Sequence, residues 1–409
     1  MSARWRRVIT NSFHAALAAA SPESVRKHLP PPPNGTLFIV GAGKAAAGMA
    51  KIAEQHYRGV SIVGAVVAPH NTPPPPLLQT RLLFGAHPLP DAAASRAARV
   101  VMKTVRRARK HDLTLTLISG GGSSLMGAPI HGLPLAEMRR VVGQLLNAGA
   151  DVRHINIVRR QLSAAAGGKL AQMCFSPMRA LIMSDVVGDR PADIASGPCT
   201  ADPTSAADAL EVLRQYNISS AITAQILQNM KPPPPAAAFR HVKNIVVAGA
   251  KHALLAGENE LRQNGVRTVV NLGERAGDSQ NIARAHGQML AKMADKPHPI
   301  AVISGGEARA KAGEGKGGRN TDFALRLWRI APPETVIFAA DTDGLDGSQN
   351  AAGAVFDGAA RKRAATLGLS ADEYLRRADS GGFFAEIGAL LPQMHTGVNV
   401  SDYRVSLLA

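Results

Sequence analysis

The stretch Leu37–Ala46, which is LFIVGAGKAA, sets the fold class of this chain. Its four apolar residues predict a short buried strand, and the glycines and alanines after them predict a tight turn into a helix. The same arrangement recurs where Leu113–Ile118 precedes Ser119–Ser124, and where Ala180–Met183 precedes Ser184. Alternating strands and helices predict a mainly parallel α/β sheet with helices on both faces. Ligands of such sheets bind beyond the carboxyl ends of the strands, so these turns are the first candidates for a site.

The second half of the chain shows the same alternation, and a run of prolines separates it from the first half. Strands are predicted at Ile245–Ala248, Thr268–Val270, Ile300–Ile303 and Val336–Ala339. Proline runs favour extended connectors, so the tract Pro232–Pro235 is the predicted domain boundary. We therefore predict an N-terminal domain over residues 1–235 and a smaller C-terminal α/β domain over residues 236–409, again with a mainly parallel sheet.

The N-terminal segment has the pattern of an amphipathic helix. Its apolar residues recur at helical spacing: Trp5, Val8, Ile9, Phe13 and Leu17. Thr10 and Asn11 interrupt the continuous apolar core that a secretory signal peptide would need. We therefore expect a first helix that packs on the body of the protein.

Composition narrows the class of partner. The 409 residues carry a formal net charge of +17, with 45% hydrophobic and 4% aromatic residues. The densest basic run, Arg96–Lys110, alternates with apolar residues as one solvated helix face does, and it lacks the aromatic residues that a nucleic-acid surface uses. No apolar stretch is long enough to span a membrane, and the two cysteines, Cys174 and Cys199, fit neither a disulfide framework nor a metal site. We therefore predict a cytoplasmic protein with a small-molecule substrate and no nucleic-acid or membrane partner, and homo-oligomerisation is left open.

The turn Gly41–Ala46 is suited to an anion, because glycines let the backbone approach a ligand and a helix begins there. A dinucleotide site is disfavoured, since Ala46 holds the third glycine position and the second strand ends at Ala68-Pro69-His70 without an acidic residue. Lys44 suits a phosphate or a carboxylate, although a plain strand-to-helix turn remains an alternative. A Walker loop is absent, because Gly315-Lys316 is followed by Gly317.

Two further kinds of turn carry candidate chemistry. The backbone of Ser119–Ser123 can form an anion nest. The segments Ser184–Asp189 and Thr342–Gly347 each place two aspartates after a strand, where a carboxylate can hold magnesium or accept a hydroxyl proton. Capping of the loops is the structural alternative for each set.

The segment Gly313–Asn320 combines four glycines with Lys316 and Arg319, directly before a predicted helix that begins at Thr321. Such a loop can wrap a polyphosphate, and Arg319 offers a planar set of donors that lysine lacks. A flexible surface loop is the alternative, but it would need no such arrangement of charges.

Taken in order, these motifs resemble the glycerate 2-kinase family with a C-terminal MOFRL domain, some members of which are labelled hydroxypyruvate reductase. The resemblance covers nearly the whole chain and rests on Gly41–Lys44, Ser119–Ser123, Ser184–Asp189, Ser304–Glu307, Gly317–Asn320, Thr342–Gly344 and Gly397–Val400. It implies a Rossmann-like N-terminal domain, a smaller α/β domain and an active cleft between them. It also implies ATP, Mg²⁺ and D-glycerate, and hence transfer of the ATP γ-phosphoryl group to the 2-hydroxyl.

The resemblance marks Lys44 and Arg319 as the two most critical positions, and the other roles that follow are our own hypotheses. Catalytic roles fall to Lys44, Arg319 and Asp189, with Asp189 as the proton acceptor. Substrate-binding roles fall to Ser119, Gly120, Gly121, Gly122, Ser123, His154 and Arg159. Nucleotide-binding roles fall to Gly315, Lys316, Gly317, Gly318 and Asn320. Asp185 and Asp343 are the predicted metal ligands.

The chain departs from the family pattern in three places. Gln161 stands where the family has a histidine, Ala166 stands where it has a lysine, and Gln393–Thr396 replaces a Thr-Gly-Pro-Thr sequence. Two alternatives to the kinase therefore stay open. One is an NAD(P)H-dependent hydroxypyruvate reductase, and the other is a ligand-binding member of the family that has lost catalysis.

Overall fold

The computed structural model describes residues 2–71, 73, 75–311, 313–348 and 350–409. The described chain forms two compact units. One is Pro22–Val247, and the other is Ala248–Ala409 together with the N-terminal residues up to Ser21, which include helix α1 (Ser2–Ala19). This division differs from the predicted boundary at residue 235, because α1 packs with the C-terminal residues and a sixth strand extends the N-terminal sheet.

The unit Pro22–Val247 is built on one six-stranded sheet. Its strands are β1 (Leu37–Ala42), β2 (Ile62–Pro69), β3 (Thr80–Gly85), β4 (Leu113–Ile118), β5 (Met178–Met183) and β6 (Val242–Ala248). Its helices are α2 (Ala46–His56), α3 (Ala92–Val105), α4 (Gly122–Leu125), α5 (Leu135–Asn147), α6 (Val152–Leu162), α7 (Lys169–Gln172), α8 (Ala206–Gln215) and α9 (Ala221–Gln228). The strand order is β3-β2-β1-β4-β5-β6, which is the Rossmann order, and the pairs from β3 to β5 are parallel. The predicted Rossmann-like fold class is confirmed.

The strand predicted at Ile245–Ala248 is present as part of β6, but it lies in this sheet beside β5 and not in the second domain. The prediction failed there because a proline tract marks a break in regular structure without showing on which side the next strand will pair. Asn244 also attaches β6 to the Pro22–Val247 unit, since its Nδ2 donates a hydrogen bond of 3.0 Å to the carbonyl oxygen of Cys199.

The second unit has a mixed sheet. Its strands are β7 (Thr268–Glu274), β8 (Gly277–Asp278), β9 (Ile300–Gly306), β10 (Ala308–Arg309), β11 (Val336–Asp341), β12 (Ala351–Phe356), β13 (Leu390–Pro392) and β14 (Asp402–Leu408). Its further helices are α10 (Ala250–Gln263), α11 (Ser279–Lys292), α12 (Arg319–Ile330), α13 (Gly358–Thr366), α14 (Ala371–Arg376) and α15 (Ser380–Glu386). The larger sheet has the order β13-β12-β11-β14-β9-β7, and β8 pairs with β10.

The mainly parallel sheet predicted for this unit is wrong. Only β7 and β9 run parallel in the larger sheet, whereas β14 is antiparallel to both β9 and β11, and β12 is antiparallel to β11 and β13. The described residues between β11 and β12 form turns and no helix, so the chain returns antiparallel to its previous strand.

Helix α1 confirms the predicted amphipathic segment. Trp5, Val8, Ile9 and Phe13 are buried, and Leu17 is partly buried. The ring of Phe13 lies 5.0 Å from that of Phe338 on β11 and 5.6 Å from that of Tyr403 on β14. None of the helices formed by the described residues is long and apolar enough to cross a membrane.

The parallel sheet fixes where the candidate turns lie. Ala42, at the end of β1, is paired with Ile118 at the end of β4, and Ile118 is paired with Ile182 on β5. The turns that follow these three strands therefore share one edge of the sheet.

Candidate functional site

The turns after β1 and β4 form one interlocked structure. The backbone N–H of Lys44 donates to the carbonyl oxygen of Gly120 at 2.9 Å, and the N–H of Ala45 donates to Ser119 Oγ at 2.9 Å. A Cβ atom on Gly43 would lie 2.1 Å from Ser119 Oγ, and Gly43 has a φ of 140°, so only glycine fits. Lys44 and the Ser119–Ser123 turn, selected separately from the sequence, are therefore neighbours.

The glycines of the second turn are packed against two further side chains. A Cβ atom on Gly120 would lie 2.1 Å from Asp185 Oδ2, and one on Gly121 would lie 3.0 Å from His87 Cδ2. Asp185 follows β5 and His87 follows β3, so the ends of several strands contribute to the same region. The structure thus places Asp185 beside the Gly120 backbone.

Three basic side chains converge on this turn. The side chain of Lys44 is exposed, and Arg159 on α6 donates from Nη2 to the carbonyl oxygen of Pro88 at 3.2 Å. Partial burial, together with the charges of Lys44 and Arg159, lowers the pKa of His87. We call Lys44, His87, Arg159 and the Ser119–Ser123 turn the anion cradle.

Arg159 is the distinctive group of the anion cradle. Burial lowers the pKa of Arg159 to about 10, and no described carboxylate forms an ion pair with it. A desolvated guanidinium without a carboxylate partner favours an anionic ligand. The adjacent Arg160 differs, because it forms ion pairs with Asp193 at 3.3 Å and Asp202 at 3.0 Å.

Sequence reasoning missed His87. The signal was its position directly after β3, at the same edge of the sheet as Gly43 and Ser119. The Nδ1 of His154, a predicted substrate-binding residue, lies 3.0 Å from the hydroxyl of Tyr216.

Asp189 lies in the loop after β5, as predicted, with a φ of 50° that is uncommon outside glycine. Its Oδ1 is buried and has no hydrogen-bond partner among the described residues. A buried carboxylate oxygen without a partner is costly, so a proton or a donor from a ligand would stabilise it.

Of the family departures, Gln161 is buried and donates from Nε2 to Asp202 Oδ2 at 2.8 Å. The ammonium of Lys169 donates to the carbonyl oxygens of Arg160 at 2.5 Å and Ala166 at 3.4 Å. Both replaced positions therefore belong to a packed polar network next to α6.

In the second unit, Arg319 is surrounded by carboxylates. Its Nη1 donates to Glu307 at 2.9 Å, its Nη2 to Asp341 at 2.5 Å and its Nε to Asp402 at 2.7 Å. Burial alone would lower the pKa of Arg319, but the carboxylates of Asp402 and Asp341 raise it above its ordinary value. Burial and the charges of Asp343 and Asp402 raise the pKa of Asp341, against the lowering effect of Arg319. Arg404 also donates a hydrogen bond to Asp402, so two guanidinium groups share these carboxylates.

The glycine-rich loop before α12 is closed against its own chain. Cβ atoms on Gly315 and Gly317 would lie 2.5 Å from Asp379 Cβ and 2.6 Å from Ser380 Oγ. The N–H of Lys316 donates to Asp379 Oδ1 at 2.9 Å, while its side chain is exposed. The glycines therefore allow close packing, and the exposed side chains of Glu314 and Lys316 present charges of opposite sign to solvent.

The free N–H groups at the N-terminus of α12 are bound by a carboxylate of the same unit. Asp346 accepts hydrogen bonds of 2.9 Å from the N–H groups of both Asn320 and Thr321, and a Cβ atom on Gly318 would lie 2.3 Å from its Cγ. Asn320 is buried and also donates to Asp402 Oδ1 at 2.8 Å. The N-terminus of α12, predicted to face a phosphate, already binds an internal carboxylate.

The carboxylate of Asp343 is exposed and accepts from the N–H of Leu345 at 3.0 Å. Within the part of the chain that the structure describes, no group of three or more His, Cys, Asp or Glu side chains is arranged to hold a metal ion.

A Rossmann-type sheet with basic side chains at its carboxyl edge defines an α/β protein suited to small anionic ligands. Residues 8–231 match a family described as a domain of unknown function, DUF4147, and residues 300–402 match the MOFRL family. D-glycerate 2-kinase of Thermotoga maritima is 33% identical over 94% of this chain and 94% of its own length. An Agrobacterium vitis protein provisionally named hydroxypyruvate reductase is 34% identical over 98% of this chain and 94% of its own length.

The crystal structure of glycerate kinase from Thermotoga maritima matches with a TM-score of 0.90 at 30% identity, over 100% of this chain and 99% of that one. The chain belongs to the glycerate 2-kinase family with a C-terminal MOFRL domain.

Proposed function

We propose that the protein is a D-glycerate 2-kinase, which transfers the ATP γ-phosphoryl group to the 2-hydroxyl and yields 2-phosphoglycerate and ADP. The observation that carries the proposal is the anion cradle, with its exposed ammonium and a guanidinium that has no described carboxylate partner. Family membership supports the same activity, since relatives over nearly the whole chain carry the name glycerate 2-kinase or glycerate kinase.

The residues of the anion cradle supply binding and charge neutralisation. Arg159 binds the carboxylate of glycerate, because a planar guanidinium can donate two parallel hydrogen bonds to it. Lys44 neutralises the phosphoryl group during transfer, which is mostly a matter of positioning and electrostatics. The 2-hydroxyl oxygen forms a bond to the γ-phosphorus while the bond to the β-phosphate oxygen breaks, and Asp189 accepts the hydroxyl proton.

Two aspartates of the chain, Asp185 and Asp343, are suited to hold magnesium. Mg²⁺ commonly takes one or two carboxylates and completes its coordination with phosphate oxygens and water. The exposed Asp343 lies in a region where carboxylates outnumber cations, and Asp185 lies beside the Gly120 backbone, so both remain proposed ligands. Magnesium would supply further neutralisation of phosphate charge, with Lys316 as a proposed nucleotide-binding residue and Arg319 as a proposed catalytic residue. A reducing compartment, the cytoplasm, suits the two buried free cysteines.

The test is an ADP-release assay with ATP, magnesium and D-glycerate, followed by phosphorus NMR of the product. We expect ADP release and phosphate on carbon 2. A 3-phosphate product would overturn the regiochemistry, and NADH oxidation with hydroxypyruvate but no ADP release would replace the kinase by a reductase.

Arg159→Ala provides the site-specific arm of this test. We expect it to raise KM for glycerate far more than KM for ATP, because the lost group binds the carboxylate. Arg153→Ala removes the same charge from an exposed position on the same helix and serves as the matched control. Equal KM values for glycerate in the two variants would remove Arg159 from the substrate site.

A further inference from the structure

A chain of three polar side chains ends in the anion cradle. Ser123 Oγ on α4 lies 2.8 Å from Ser196 Oγ, which belongs to the 3₁₀ turn Ile194–Ser196. Ser196 Oγ in turn lies 2.9 Å from Asn156 Oδ1 on α6. Ser196 and Asn156 are buried, whereas Ser123 is partly exposed.

The hydrogen bond made by Asn156 fixes the direction of the other hydrogen bonds in this series of three side chains. Asn156 Nδ2 donates to the carbonyl oxygen of Asp193 at 3.0 Å, and a carbonyl oxygen can only accept. The Asn156 oxygen therefore faces Ser196, which donates its single proton to it. Ser196 then has only lone pairs left for Ser123, so Ser123 donates its own proton to Ser196. What Ser123 presents to a ligand is an oxygen that accepts and does not donate.

The backbone that holds Ser196 is conformationally costly. Ala195 and Ser196 have φ values of 50° and 58° and are followed by Gly197 at 62°. A non-glycine residue in this region costs on the order of 1–3 kcal/mol, and such residues cluster at functional sites. Ala195 Cβ packs on the glycine turn, where a Cβ atom on Gly122 would lie only 2.7 Å away. The strained turn thus holds the Ser196 hydroxyl against Ser123.

We propose that Ser123 selects the substrate by accepting a hydrogen bond from its non-reacting hydroxyl, the 3-hydroxyl of glycerate, and that Ser196 and Asn156 are positioning residues that set this polarity. The proposal rests on the proposed function. A neutral serine oxygen is too weak a base to take the proton of the reacting 2-hydroxyl, so its accepting capacity serves the other hydroxyl. The same lone pairs disfavour a carboxylate or a phosphate, which the cations Lys44 and Arg159 attract instead.

The test compares D-glycerate with D-lactate, which has a methyl group in place of the 3-hydroxymethyl group. The wild-type protein should prefer glycerate, because a site built to bind a hydroxyl rejects an analogue that lacks it. Ser123→Ala should lower kcat/KM for glycerate by about 5- to 10-fold and leave kcat/KM for lactate nearly unchanged. Ser196→Gly suits the left-handed backbone, removes the whole hydroxymethyl side chain, and should give an intermediate loss of selectivity.

Ser124→Ala is the matched control within the same turn. The Ser124 hydroxyl donates to the carbonyl oxygen of Pro88 at 2.9 Å and has no role in the proposed polarity. Removing the Ser124 hydroxyl should change kcat/KM for glycerate and for lactate by the same factor. If Ser123→Ala lowers kcat/KM equally for glycerate and lactate, or lowers it for neither, the assignment is overturned.

Calorimetry separates this proposal from the proposed function. If the wild-type protein does not phosphorylate glycerate, the proposed kinase activity is wrong. The affinities of the same variants for glycerate and lactate then decide the role of Ser123. Tighter binding of glycerate that disappears in Ser123→Ala would retain the assignment. Equal binding of the two ligands, or binding of neither, would reject it.

Discussion

Lys44 combines an exposed ammonium with a backbone that is held in place by hydrogen bonds to the neighbouring turn. Changes to its side chain should therefore affect charge and leave the fold intact. Lys44→Ala should lower kcat/KM by about 30- to 1,000-fold, which corresponds to roughly 2–4 kcal/mol of lost transition-state stabilisation. Lys44→Arg keeps the positive charge but replaces a compact ammonium by a planar guanidinium, so it should recover only part of the lost kcat/KM.

Thermal unfolding measured by circular dichroism should show nearly unchanged melting temperatures for both Lys44 variants. Lys103→Ala, which removes an exposed ammonium from α3, is the control and should retain full turnover. Retention of activity by Lys44→Ala would place the phosphoryl group elsewhere.

Arg319 has a structural role that its sequence position did not reveal. Removing its side chain leaves the buried carboxylates of Asp341 and Asp402 with one partner fewer. We expect Arg319→Ala to destabilise the Ala248–Ala409 unit by about 3–5 kcal/mol. Arg319→Lys should recover only part of this stability, since a compact ammonium lacks the planar fork with which the guanidinium reaches three separate carboxylates.

Tryptophan fluorescence is the appropriate measurement, because both tryptophans, Trp5 and Trp328, belong to the unit that contains Arg319. Arg284→Ala, an exposed position on α11, is the control. A denaturation midpoint for Arg319→Ala equal to that of the control would make Arg319 purely functional, as the sequence suggested.

At the scale of elements, α12 depends on a cap that is distant in sequence. Asp346 is buried and accepts from two N–H groups at the start of the helix and from the hydroxyl of Thr321 at 3.0 Å. Asp346→Ala should cost about 2–4 kcal/mol, because a cap is lost and buried donors are left unpaired. Asp343→Ala, three residues earlier and exposed, should change stability little. Similar midpoints for the two variants in urea would contradict this role.

The elements of the parallel sheet could be predicted from sequence, because each strand, turn and helix is adjacent in the chain. Lys44 and the Ser119–Ser123 turn come together because β1 and β4 are parallel neighbours in the sheet, so their carboxyl ends lie at one edge. The Arg319 cluster could not be predicted in this way. Its partner Asp402 is 83 residues away and reaches it through an antiparallel strand that local patterns do not specify.

At the scale of the whole molecule, the N-terminal helix belongs to the same compact unit as the C-terminal residues. Phe13 is buried between Phe338 and Tyr403, and Ser12 Oγ lies 3.0 Å from the Tyr403 hydroxyl. Phe13→Ala should destabilise this unit by about 3–5 kcal/mol through loss of core packing.

The two tryptophans again report on the unit affected by Phe13→Ala. Asn11→Ala, on the exposed face of α1, is the control and should unfold near the wild-type midpoint. If Phe13→Ala also unfolds at that midpoint, α1 contributes little to the unit.

The position of α1 has a consequence for synthesis on the ribosome. Synthesis runs from the N-terminus, so α1 is made long before β14, which lies between β11 and β9. Residues 22–247 can fold while the chain is still growing, but α1 must wait through that interval with its apolar face uncovered. A nascent chain that stalls before Asp402 would lack β14, and with it the ring of Tyr403, so one side of Phe13 would stay uncovered. Such a chain is a natural client for chaperones that bind exposed apolar segments.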